Sequence, residues 1–483
     1  MAYLGIDLGT SGLRALLINE KAEVLGAQEA SFATRHPRDG WSEQNPADWI
    51  EALDQAMAKL RASHKEYSQI KAIAVAGHMH GATLLDAHAK VLRPCIMWND
   101  TRSALEAAQL DGLAHSRELS GNIVFPGFTA PKLLWVEKHE PEIFAQIDKV
   151  LLPAAFLNHY LSGEFVGDMS DAAGTSWLDV GKRDWSDVLL QAGHMQKSQM
   201  PRLVEGSQKA GNLRPALAQK WGLSENVIIA GGAGDNAAAA CGMGILNEGQ
   251  GFVSLGTSGV LLAARDGYHP AAQTALHTFC HAVPKRWYQM GVMLSATASL
   301  NWLSQITGQS PKALTAELPE TLSEPGFVQF LPYLSGERTP HNDAFIRGAF
   351  TGLGAATSRV DLTRAVLEGV AFAFADSFAA IKSSGAKLES LFAIGGGAAS
   401  SYWLQLIATV LNIPLALPQA AESGAALGAA RLAMAAHHAG NEEAIMQPPA
   451  TAKIIAPIAE LTSAYQLAYA KYKNLYPAIR QAQ

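Results

Sequence analysis

An α/β protein built from two similar halves is the fold class written in this sequence, and three features carry it. Apolar runs of strand length alternate with helix-period segments along the whole chain. The pentapeptide Leu-Gly-Thr-Ser-Gly occurs twice, at residues 8–12 and 255–259, an offset of 247 in a chain of 483 residues. Each copy follows a short apolar strand and leads into another. Each half therefore presents a hairpin bent around a glycine-rich turn.

Taken in order, residues 3–18 read as the first hairpin and Val24 to Phe32 as a third strand. Asn45 before Pro46 is a helix start, an N-cap followed by proline at the first helical position. Trp49, Leu53, Ala56 and Leu60 give that helix its buried stripe. Ile70 to Ala76 is a buried strand ending on Gly77-His78-Met79-His80-Gly81, with a second hairpin arm expected at 82–85. Helices are expected through about Asp111, at 153–162 and at 186–195, and Pro131 marks another helix start. Val227 to Ala230 is a strand that enters Gly231-Gly232-Ala233-Gly234-Asp235-Asn236 ahead of an alanine-rich helix. The boundary between halves falls near residue 245, giving domains 1–245 and 246–483. The second half continues with strands at 252–264, 287–293, 327–331 and 389–394, and helices at 296–307, 363–383, 400–411 and 423–437. At the end, Tyr465, Tyr469, Tyr472 and Tyr476 recur at helical spacing and read as a packing stripe.

Composition narrows the function classes. Hydrophobic residues make up 48% and charged residues 17%, with a net charge of −6 and no basic block, so no nucleic-acid footprint is present. Cys95, Cys241 and Cys280 lack paired spacing, which argues against a disulfide framework or structural zinc and suits a reducing compartment. Asp7 interrupts the one apolar run near the start, which lacks a basic flank, so no signal peptide is expected. Val227 to Leu246 carries Asp235 and Asn236 and is no membrane span. A cytoplasmic protein with no nucleic-acid or membrane partner is expected.

Five constellations could carry chemistry. The repeated turns offer backbone N–H groups and the hydroxyls of Thr10, Ser11, Thr257 and Ser258, a cradle suited to phosphate oxygens, although each is also simply a tight hairpin. Neither is a Walker A loop or a GxGxxG fingerprint. Asp7 sits in an apolar strand, where a carboxylate costs several kcal/mol unless paired or bound to a cation, or else turns to solvent. Mg²⁺ beside a bound triphosphate would account for it. Asp235 follows a strand and a glycine-rich turn and stands where a helix begins, so the helix dipole favours its ionised form. It reads either as an ordinary N-cap or as a base accepting a hydroxyl proton during phosphoryl transfer. Gly395-Gly396-Gly397-Ala398 lets a ligand approach backbone or a helix pack on a strand. His78 and His80 would share a strand face, but with no third ligand apparent a polyol contact through His80 is favoured over a metal site.

These residues resemble the FGGY carbohydrate kinase family from end to end. Gly127 to His139, with Lys132 and Trp135, fits its first signature, and residues 348–369 fit its second. Met79-His80-Gly81, Trp98-Asn99-Asp100, Ser170 to Thr175 and Ser335 to His341 look like the versions found in its bacterial pentulose-kinase branch. The resemblance implies two actin-like ATPase (ribonuclease-H-like) domains, with sugar and ATP meeting in the cleft between them. It implies a final helix, about 461–476, that packs back on the first domain. It also assigns Asp235 as catalytic base, Met79, His80, Asp235 and Asn236 to the sugar, and Asp7 to the metal. Gly256 and Thr257 fall to ATP phosphates, and Gly397 with Ala398 to the nucleotide. Ser401 stands where many members have Asn, so no adenine contact is carried over there. The expected reaction is transfer of the γ-phosphoryl group of Mg-ATP to the C5 hydroxyl of D-xylulose. Ribulose, gluconate, fuculose and glycerol are the alternative acceptors, and a non-catalytic actin-like ATP-binding protein is the alternative class. A homodimer is the assembly entertained.

Overall fold

A computed structural model describes residues 1–419 and 424–483 of the chain. β1 (Ala2–Leu8) and β2 (Gly12–Asn19) form the first hairpin, with Asp7 opposite Arg14 in the ladder. β3 (Val24–Ser31) continues the meander. Asn45 caps α1 (Pro46–Ser63) through its side chain, and Trp49, Leu53, Ala56 and Leu60 are buried as the stripe requires. β4 (Ile70–Gly77) pairs parallel with β1. α2 (Thr129–His139), β5 (Lys209–Asn212), β6 (Ile228–Ala230), β7 (Ala233–Gly234) and α3 (Asp235–Gly242) complete the parts that matter for the site. The sheet runs β5-β6-β4-β1-β2-β3, with β7 also pairing to β4.

The second half repeats the plan. β8 (Gly251–Leu255) and β9 (Gly259–Arg265) form its hairpin, followed by β10 (His277–Cys280) and β11 (Trp287–Met293). Then come α4 (Thr297–Thr307), the 25-residue α5 (Arg359–Ser383), β12 (Leu391–Ile394), α6 (Ser401–Leu411) and β13 (Leu415–Pro418). α7 (Gly424–His437), β14 (Thr451–Ile455), α8 (Ala459–Lys473) and α9 (Leu475–Ala482) close the chain. The second sheet runs β10-β11-β9-β8-β12-β13-β14. Strands alternate with helices in both halves, as an α/β fold demands. The expected start of α7 at residue 423 lies outside the described residues.

Two expectations need correction. Thr83–Leu85 does not pair back on β4 as a hairpin arm; it pairs with Lys149–Leu151, far along the chain, and Leu85 bridges Val91 across a local turn. The final helix does not return to the first half. It divides into α8 and α9, and the tyrosine hydroxyls find their acceptors in the second half. Tyr465 donates to the Ser323 carbonyl at 3.0 Å, Tyr469 to Asp376 at 2.6 Å, Tyr472 to Tyr333 at 3.2 Å and Tyr476 to Asp343 at 3.0 Å. The stripe packs, and it also satisfies buried polar groups.

The element that does cross over is α7. It lies on β1 and β4 of the first sheet and along α3, in one apolar core with them. Its approach needs bare backbone. A Cβ on Gly5 would lie 2.0 Å from the Ala426 carbonyl oxygen, and one on Gly428 would lie 1.7 Å from that of Ala238. Small residues buy contact close enough to seal the halves together.

Candidate active site

Three neighbouring strands of the first sheet end side by side. Leu8 of β1 pairs with Gly77 of β4, and Gly77 pairs with Gly234 of β7. Asp7 is one residue before its strand end and Asp235 one residue past its own, so both carboxylates stand at the carboxyl edge of the sheet. In open α/β sheets that edge is where ligands bind. Burial, then the charge of Asp235, raise the Asp7 carboxyl to about 7, with Arg14 pulling the other way. Burial raises Asp235 to about 6, opposed by hydrogen bonds from the amide of Asn236 at 2.7 Å and its Nδ2 at 2.9 Å.

Asp235 differs here from the expectation of a low pKa. Desolvation outweighs the dipole of a helix only eight residues long. Nor is Asp235 the N-cap, since Gly234 takes that position. Its loop is tied from outside: the Gly234 amide donates to Ser170 Oγ at 3.1 Å, and that hydroxyl donates to Asp168 at 2.5 Å. Asp168 and Ser170 are buried, and this supporting chain was not read from the sequence beyond the motif that begins at Ser170.

His80 follows β4 in a left-handed conformation, with φ of 70°. Its ring stacks on Phe128 with centroids 4.4 Å apart. Nδ1 lies 2.6 Å from the Gly174 carbonyl, which only accepts, so Nδ1 carries the proton and Nε2 keeps its lone pair. Burial drops the imidazole to about 3, which leaves it neutral at physiological pH. A neutral ring of this tautomer accepts a hydrogen bond from a hydroxyl through Nε2.

The backbone of His80 is held as firmly as its ring. Lys132 Nζ donates to the His80 carbonyl at 2.8 Å and to that of Ile96 at 3.2 Å, and Thr129 Oγ1 adds a third contact at 3.1 Å. Lys132 is 0% exposed. The sequence marked it as a signature residue without a role, because its acceptors are main-chain groups that leave no side-chain pattern.

Met79 is buried beneath the same turn, and Gly234 lacks a Cβ where the Met79 side chain runs, 2.8 Å away. His78 goes elsewhere, edge-on to Trp49 at 5.7 Å. The two histidines therefore do not share a face, because the strand ends between them. Among the described residues no cluster of three His, Cys, Asp or Glu side chains could hold a metal ion.

In the second half the Gly256 carbonyl accepts from Thr297 (N at 3.0 Å, Oγ1 at 2.8 Å) and that of Thr257 from the Ala296 amide at 2.9 Å. These bonds fasten the turn to the start of α4. Ser254 of β8 pairs with Ile394 of β12, which brings Gly395 to Gly397 beside the turn. A cavity of about 670 Å³ opens there, lined by Thr297, Asn301, Lys312, Gly397, Ser400 and Trp403. Ala398 sits in the same turn with its amide spent on the Gly395 carbonyl at 3.0 Å. Ser400, not Ser401, caps α6, and Ser401 is exposed. In the first turn, Thr10 accepts from Trp98 Nε1 at 3.2 Å on its hydroxyl and from Gln44 Nε2 at 2.6 Å on its carbonyl, while Ser11 is exposed.

Residues 2–242 match the N-terminal domain model of the FGGY family of carbohydrate kinases, and residues 251–437 match its C-terminal domain model. The chain belongs to the FGGY family of carbohydrate kinases. It is 48% identical over 480 residues, 98% of each chain, to the xylulose kinase of Escherichia coli (strain K12). The crystal structure of a "xyloylose kinase" from Brucella ovis covers all of both chains with a TM-score of 0.98 at 56% identity. A gluconate kinase from Lactobacillus acidophilus has a TM-score of 0.91 over 99% of this chain and 98% of its own, at 24% identity, and shows the shared two-domain, actin-like ATPase fold. For an FGGY kinase the arrangement is chemically apt. A half-desolvated carboxylate, a second one beside it and a neutral imidazole stand on one half, and a glycine-lined cavity stands on the other.

Proposed function

We propose that this protein is an ATP-dependent D-xylulose kinase that transfers the γ-phosphoryl group to the sugar's C5 hydroxyl. Support comes first from one observation: Asp235 is desolvated, raised to about 6 and set beside Asp7 at the same sheet edge as Met79 and His80. A base near that pKa is ionised at neutral pH yet basic enough to take up a hydroxyl proton. The naming of full-length relatives as xylulose kinases favours this sugar among those the family serves.

In this reading Asp235 orients and deprotonates the C5 hydroxyl, with Asn236 holding its carboxylate. Met79 and His80 contact the sugar, His80 accepting a hydroxyl hydrogen bond through Nε2. Residues 1–245 contribute the sugar site and the metal carboxylate, and residues 246–483 the nucleotide. The turns carrying Thr10, Ser11, Gly256 and Thr257 hold the phosphates, and Gly397 with Ala398 borders the nucleotide in the cavity. Asp7 suits Mg²⁺: its carboxyl is raised partly by the like charge of Asp235, a repulsion that a cation bound there would relieve. When bound, Mg²⁺ neutralises charge on the phosphates. The buried free cysteines fit work in a reducing cytoplasm.

The test is ADP release coupled to a chromogenic reaction, run over D-xylulose, D-ribulose, gluconate, fuculose and glycerol. D-Xylulose should give the highest kcat/KM, and equal rates on glycerol would overturn the assignment.

A further inference from the structure

The second half sends one cation into the aromatic wall that carries His80. Glu337 and Arg338 are neighbours whose side chains part. The Glu337 carboxyl, 2% exposed, turns inward and accepts from the amides of Leu294 at 3.2 Å and Arg338 at 2.7 Å. The Arg338 guanidinium crosses to the first half and lies 4.7 Å from the centroid of Phe125. Phe125 is 5.5 Å from Phe128, on which His80 stacks, and 5.2 Å from His277.

Arg338 does not pair as a structural arginine would. Among the described residues its guanidinium makes no hydrogen bond and no carboxylate lies within ion-pair distance of it. A cation–π contact with one ring is worth roughly 0.5–2 kcal/mol. The five N–H donors of Arg338 are left to solvent or to a ligand, since none of its guanidinium nitrogens is sealed off among the buried unpartnered atoms. A ligand rich in oxygen matches that fork of open donors.

The position of the charge says which end of the ligand. Arg338 lies over Phe125 in the wall behind His80, whereas the Asp235 carboxylate is held by Asn236 just past the end of β7. The transferred phosphoryl group lies at the Asp235 end in the reading above. Arg338 therefore faces the other end of the sugar. We propose that Arg338 is a sugar-binding residue, donating hydrogen bonds to the oxygens of the ketose remote from the C5 hydroxyl, so that bound sugar bridges the two halves. The proposal rests on the sugar-kinase reading of the site.

The experiment compares wild type with Arg338→Met and Arg338→Lys, using D-xylulose and ATP as probes. Calorimetry reads sugar binding in the absence of nucleotide, and steady-state kinetics reads both KM values and kcat. Arg338→Met should weaken D-xylulose binding and raise its KM at least tenfold. The KM for ATP should stay within twofold of wild type. Arg338→Lys, which keeps the charge but loses the fork of donors, should fall between. An unchanged sugar KM overturns the proposal. So does a lower kcat at constant sugar KM, which would place Arg338 on the phosphoryl group. If Arg338→Met does not fold, Arg338→Lys decides alone: a wild-type sugar KM overturns the proposal and a raised one supports it. Wild type that prefers another sugar sinks the xylulose assignment instead, and the same comparison is then made with the preferred sugar.

Discussion

The two hairpins of this chain are the same scaffold with different contents. Each carries Leu-Gly-Thr-Ser-Gly at its bend, and each first strand pairs antiparallel with its partner and parallel with a later strand. Asp7 of the first hairpin corresponds to Ser254 of the second. Beyond that the surroundings diverge. The strand beside β1 runs out into Met79 and His80, whereas the strand beside β8 runs out into Gly395 to Gly397. The first turn is braced by the side chains of Gln44 and Trp98, the second by the amides that begin α4. A duplicated cradle can thus serve two ligands, because what differs is the residue just before the bend and the loop beside it.

The strongest challenge to that division is Asp235→Ala, which removes the carboxylate that only the first sheet presents. Turnover should fall by a factor on the order of 10³ or more, while sugar and ATP binding by calorimetry persist. Near-normal turnover would remove Asp235 from its role.

Asp7 against Ser254 tests the asymmetry directly. Asp7→Asn should cost on the order of 10²-fold in kcat/KM at limiting Mg²⁺. Adding Ser254→Asp should not restore it, because a carboxylate on the second hairpin stands on the other sheet, away from Asp235. Rescue would mean the halves are interchangeable.

A pH profile sharpens the contrast next. Asp235 must be ionised to act, so kcat/KM should rise about tenfold per unit up to about 6 and then level. Asp7, at about 7, titrates as its neighbour and should make the Mg²⁺ requirement steeper at low pH. The effect on stability has the opposite sign. Both folded pKa values lie above the ordinary carboxylate value, so ionisation costs folding free energy as pH rises from about 4 through 7. Asp235→Asn should therefore raise the melting temperature at pH 8 and leave it nearly unchanged at pH 4.

Smaller effects belong to the supports. Lys132→Met strips the donor from the His80 and Ile96 carbonyls, and the sugar KM should rise about tenfold with the ATP KM unchanged. A parallel rise in both would make Lys132 a general core residue. Tyr469→Phe removes the donor from buried Asp376 and should cost about 1–2 kcal/mol by urea unfolding with activity intact. Lost activity there would tie α8 to the cleft.

Local signals were legible because local physics writes them. The Asn45 cap, the α1 stripe and both hairpins follow from spacing and propensity over a few residues. The meeting of Asp7, His80 and Asp235 was legible only through family resemblance, since the pairings that join them, Leu8 with Gly77 and Gly77 with Gly234, link residues 69 and 157 apart in the chain. The raised pKa of Asp235 was not legible. Helix position argues for ionisation and only burial, a property of the packed whole, reverses it.

By itself the sequence determined the fold class, the duplicated cradle and the residue types on which phosphoryl transfer depends, since each is encoded in short runs. The tertiary structure alone decided that α7 seals the two halves while α8 stays with the second, and that Lys132 holds His80 by its carbonyl. It also decided that Arg338 reaches the aromatic wall behind His80 from the other half. Those outcomes rest on backbone carbonyls, bare glycines and the partner each buried hydroxyl finds, none of which leaves a periodic trace in the chain. The repeated turn is therefore a shared scaffold, and the residues around it decide its use.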